Sequence, residues 1–74
     1  MSALDDDYGD DLEANLRRFF YRNPDEFLWA RDVEIKFGVS LQHARKVLSS
    51  MASKGYLRRS YPEFPSTPVE YSAA

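Results

Sequence analysis

"WARDVEIKFGVSLQHARKVLSSMASKGYLRR", residues 29–59, carries most of the fold in its punctuation. "RDVEIKF" reads as two helical turns whose Val33 and Phe37, four residues apart, face inward. Gly38 closes them, because glycine takes the left-handed backbone of a helix end at little steric cost. Ser40 then offers a hydroxyl oxygen to the free N–H groups of the next helix. That helix, about residues 41–54, places Ala44, Val47, Leu48 and Met51 on one side at three- and four-residue spacings, and Gly55 ends it. Its opposite side is centred on Gln42, Lys46, Ser49 and Ser53, flanked by His43, Arg45 and Ser50. Short serines let such a face approach another surface closely while still offering hydroxyls.

Outward from this core, "YLRRSY" alternates, with Leu57 and Tyr61 on one side and Tyr56, Arg58 and Ser60 on the other, and is expected to be a strand. "PEFPSTP" is a proline-rich connection and "VEYS" a returning strand, together a two-stranded hairpin. On the N-terminal side, "EFLWA" suits a brief strand. Before it, Leu12, Leu16, Phe19 and Phe20 mark a first helix over about residues 11–22, with Asp10 and Glu13 spaced as a capping box and Pro24 forcing a stop near Asn23. Residues 1–9 are polar, acidic and aperiodic, and are expected to form a disordered arm ahead of a single domain over residues 10–72.

The overall charge of −2 conceals segregation. Asp5, Asp6, Asp7, Asp10, Asp11 and Glu13 crowd the first 13 residues, whereas residues 14–74 hold all ten Lys and Arg against six acids, a net of +4. From Ile35 through Pro62 there are Lys36, Arg45, Lys46, Lys54, Arg58 and Arg59 and no carboxylate. An ordinary solvated surface intersperses both signs, so this stretch is expected to lie against a polyanion.

The stretch at 29–59 resembles a winged helix-turn-helix domain. It shares that family's progression: a short helix ending in Phe-Gly-Val-Ser, a second helix with the small Ala44 at its crossing point, aliphatics at Val47, Leu48 and Met51, and Gly-Tyr-Leu entering the wing. The resemblance covers about residues 11–72. It implies an α+β, mainly α fold of three helices plus a small antiparallel β-hairpin wing, and a small transcriptional regulator binding double-stranded DNA in a sequence-specific way. In proteins of this kind the helix after the turn enters the major groove. Ser40, Gln42, His43, Arg45 and Lys46 would then face DNA, with Ser49 further along. Gln42 suits adenine and Arg45 guanine, while Lys46, Ser40 and Ser49 suit phosphates. Arg58 and Arg59 enter the wing strand, where one would reach a backbone or a narrow minor groove. The chain departs from the family at Glu34, where a small apolar residue is usual, at Ala30, which replaces a Ser or Thr cap, and at Glu63 in the wing.

One module with three or four phosphate contacts binds a half-site weakly, so a homodimer is expected, with Phe19, Phe20 and Tyr21 as its candidate interface. The alternative is a protein-interaction module whose basic helix docks on an acidic partner, which the pI of about 5.2 favours. The chain has no cysteine, and its sole histidine, His43, has no neighbouring carboxylate. No catalytic residue, metal site, cofactor or small-molecule substrate is therefore expected. With neither a membrane-length apolar run nor a signal pattern, the protein is expected to be cytoplasmic.

Overall fold

The computed structural model describes residues 11–61 and 68–74 in full and residues 2–10 by backbone element alone. Its elements run α1 (Ser2–Arg22), β1 (Phe27–Leu28), α2 (Ala30–Phe37), α3 (Leu41–Ser53), β2 (Leu57–Ser60) and β3 (Glu70–Ala73). The protein is thus α+β and mainly helical, with one small antiparallel sheet. α1 begins at Ser2 rather than near residue 11, so the backbone of residues 2–9, expected as a disordered arm, is helical and Asp10 lies within the helix instead of capping it, while the expected acidic connection at Glu63 falls outside the described residues. Among the described residues, no helix is long and apolar enough to cross a membrane.

α1 buries Leu12, Leu16 and Phe20, which recur every fourth residue and therefore form one stripe. Its end is fixed by Asn23, whose backbone N–H and side-chain amide both donate to the Phe19 carbonyl, each at 2.9 Å. Pro24 then bars another turn.

α2 starts differently from the expected pattern. Trp29, not Ala30, is the N-cap, and Ala30 is the first helical residue. The missing Ser or Thr is offset from within the helix: the Asp32 carboxylate accepts the Trp29 N–H at 2.9 Å, and its charge suits the positive end of the helix. Val33 is buried and Phe37 half-buried, whereas Ile35 is exposed.

The turn into α3 follows the order of its residues. Gly38 has φ 68° and ψ 36°, and its N–H donates to the Glu34 carbonyl at 3.0 Å. The Ser40 hydroxyl accepts the His43 N–H at 3.1 Å, capping α3. At the far end, Gly55 at φ 88° lets its own N–H reach Ala52 and the Tyr56 N–H reach Met51, at 3.1 and 2.9 Å. These are the paired bonds of a Schellman ending. Among the described residues no heavy atom lies within 4 Å of a Cβ placed on either glycine, so backbone handedness rather than crowding sets the preference for glycine at both positions.

The sheet is larger than the expected hairpin. Strand order is β1-β3-β2, with β3 in the centre. Leu28 faces Tyr71, which faces Arg59, while Phe27, Ser72 and Arg58 form the adjoining row. A bare two-stranded ribbon is marginal in water, and the two residues of β1 extend it on the far side of β3. Leu28, Leu57 and Tyr71 turn inward to meet Val33, Ala44, Val47, Leu48 and Met51 in one core with the α1 stripe.

Candidate functional site

α3 is amphipathic, and the core decides which side is free. Ala44, Val47, Leu48 and Met51 are buried, which fixes the rotation of the helix about its axis. Gln42, Arg45, Lys46, Ser49, Ser50 and Ser53 are consequently exposed, as is the cap Ser40, and His43 is half-buried. The outer side therefore carries two cations, amide and hydroxyl groups, and no carboxylate.

The neighbouring elements add to this face unequally. Arg58 is exposed on the outer row of the sheet beside Ser72. Arg59, one residue on, points the other way. Its guanidinium donates to Ser49 Oγ at 3.1 Å and to the Tyr61 hydroxyl at 3.4 Å, and lies 5.8 Å from the centre of the Tyr71 ring. The hydrogen bond to Tyr61 is the chief reason its pKa stands above the ordinary arginine value, so it stays charged at any working pH. Arg59 and Ser49, expected as two independent contacts, are instead one brace between β2 and α3. The serine hydroxyl still has its proton to donate outward.

Lys54 is also engaged. Its ammonium pairs with Glu13 on α1 at 3.1 Å, tying the two helices and drawing that charge away from the outer face of α3. Arg17 lies over the Tyr56 ring at 4.4 Å, behind the same helix end. Neither contact has a signal in local sequence, because the partners are about forty residues apart.

The aromatic surface expected on α1 is mostly internal. Phe20 is 4% exposed and belongs to the core, which removes it from any interface between copies. Its place follows from the four-residue spacing with Leu12 and Leu16. Phe19 is half-buried, edge-on to Phe20 at 5.2 Å and to Phe37 at 6.5 Å. Tyr21 alone of the three is exposed, at 87%.

A groove of about 330 Å³ lies between α1 and the end of α2, lined by Asn15, Arg18, Phe19, Arg22, Lys36 and Phe37 with the Asn23 turn. Arg18 and Arg22 are visibly one turn apart, but only the packing of α2 brings Lys36 beside them.

Compared with protein-family models and with curated proteins, the chain matches none of either.

Proposed function

We propose that this protein is a winged helix domain that binds double-stranded DNA, with α3 in the major groove and the β2–β3 hairpin as the wing, acting as a small transcriptional regulator. The observation that carries the reading is the outer side of α3: exposed, cationic, free of carboxylates and slim enough to enter a groove. Gln42 and Arg45 are assigned to base edges, and Lys46, Ser40 and Arg58 to phosphates, with His43 and Ser49 alongside. Arg59 supports this surface by holding the hairpin against α3.

The test is fluorescence anisotropy with duplex DNA over a salt series. Lys46 and Arg58 are the two cations assigned to phosphates, so log K against log salt is expected to fall with a slope of about −2 per copy. A protein that shows no binding at low salt, yet captures an acidic polypeptide, would instead be the interaction module of the alternative reading.

Neighbouring arginines separate contact from support. Arg58→Met is expected to leave stability within about 0.5 kcal/mol and to reduce the salt slope by about 0.9. Arg59→Met should do the reverse, costing about 1 kcal/mol in urea denaturation through the lost hydrogen bonds while leaving the slope in place. Equal slopes for the wild type and Arg58→Met would remove Arg58 from the interface.

A further inference from the structure

We infer that the groove formed by Arg18 and Arg22 of α1 with Lys36 of α2 is the docking site for the acidic segment, residues 5–11, of a second copy of this chain. Three cations line one concavity, with no carboxylate among its described lining residues. Arg18 donates to the Asn15 side-chain oxygen at 3.1 Å, and the Lys36 ammonium lies 5.4 Å from the centre of the Phe19 ring. Arg18 and Lys36 are thus positioned by neutral groups, while the one ion pair among the described residues is Lys54–Glu13. Asp25 and Glu26, close by in sequence, do not line the groove. Like charges one helical turn apart repel, so Arg18 and Arg22 are unfavourable neighbours until an anion joins them.

The chain supplies such an anion. Asp5, Asp6, Asp7, Asp10 and Asp11 stand in one short run without a base. Asp5, Asp6 and Asp7 cannot serve Arg18 and Arg22 of their own copy, because all lie on α1 and Asp7 precedes Arg18 by eleven residues, about 16 Å along a helix axis. That exceeds the screening length of about 10 Å at ordinary salt. Asp11, nearer by, lines the adjoining groove with Asn15 and Phe37. In a second copy set antiparallel along α1, the acidic half of each helix meets the basic half of the other, and the contact is made twice about a two-fold axis. The inference does not depend on DNA binding.

Sedimentation of the full chain, without DNA, tests it. At about 0.05 M salt the wild type is expected to be dimeric, with dissociation at least tenfold easier at about 0.5 M. Arg18→Glu/Arg22→Glu and Asp5→Lys/Asp6→Lys/Asp7→Lys should each be monomeric, with helical circular dichroism retained. Mixed in equal amounts, the two variants should form a heterodimer, since each reversed groove then meets a reversed segment. A monomeric wild type at low salt, or a mixture that stays monomeric, overturns the proposal. So does a monomeric wild type whose duplex binding is lost in Arg18→Glu/Arg22→Glu, which would give the groove to a DNA backbone instead.

Discussion

Arg45→Glu combined with Lys46→Glu is expected to abolish duplex binding, by about four orders of magnitude, while leaving the fold intact. Both side chains are exposed on α3, and among the described residues neither takes part in a hydrogen bond or ion pair. Their loss should therefore cost the fold about 0.5 kcal/mol or less each. The Lys46 phosphate contact contributes roughly tenfold in affinity as salt falls from about 1 M to 0.1 M, and reversal replaces the attraction with a comparable repulsion, giving about a hundredfold; losing the Arg45 base contact, about 1–3 kcal/mol, and placing a carboxylate there is of similar size. The two sites are expected to differ in kind. Lys46→Ala should weaken binding evenly across sequences, whereas Arg45→Ala should blur preference at one base pair, a discrimination of about 1–3 kcal/mol. Anisotropy against a random duplex and a selected site measures both. Wild-type affinity in the charge-reversed double variant would end the α3 reading.

Leu48→Ala is expected to unfold much of the protein at ambient temperature. Leu48 is completely buried on α3, among core residues drawn from every helix and strand. Truncating such a leucine costs about 2–5 kcal/mol, because the cavity it leaves cannot fully collapse. A domain of this size has only about 3–5 kcal/mol of stability to lose, so the two are comparable. The melting temperature should drop by at least about 10 °C, since each 1 kcal/mol shifts a domain of this length by about 4–8 °C. Ile35→Ala is the control: at 74% exposure it should change stability by no more than about 0.5 kcal/mol. Thermal circular dichroism that places Leu48→Ala within about 2 °C of the wild type would show that the core is not closed around this residue.

Gly38, Ser40, Gly55 and the apolar spacing from Ala44 to Met51 specify the turn and α3 through bonds that span three to five residues, so these features were legible in the sequence. The outward side of α3 followed from the same spacing, because burying four residues of a helix leaves the rest facing away. What needed tertiary structure was every pairing of distant segments: β1 against β3, Arg59 with Ser49, Lys54 with Glu13, and Lys36 beside Arg18 and Arg22. The sequence marked Phe20 as apolar without saying whether this core or another copy would cover it, and the packing placed it inside. Local hydrogen bonding and periodicity are set by chemistry only a few residues apart. The distant contacts depend instead on how three helices and a sheet close around one shared core, which no short stretch of chain encodes.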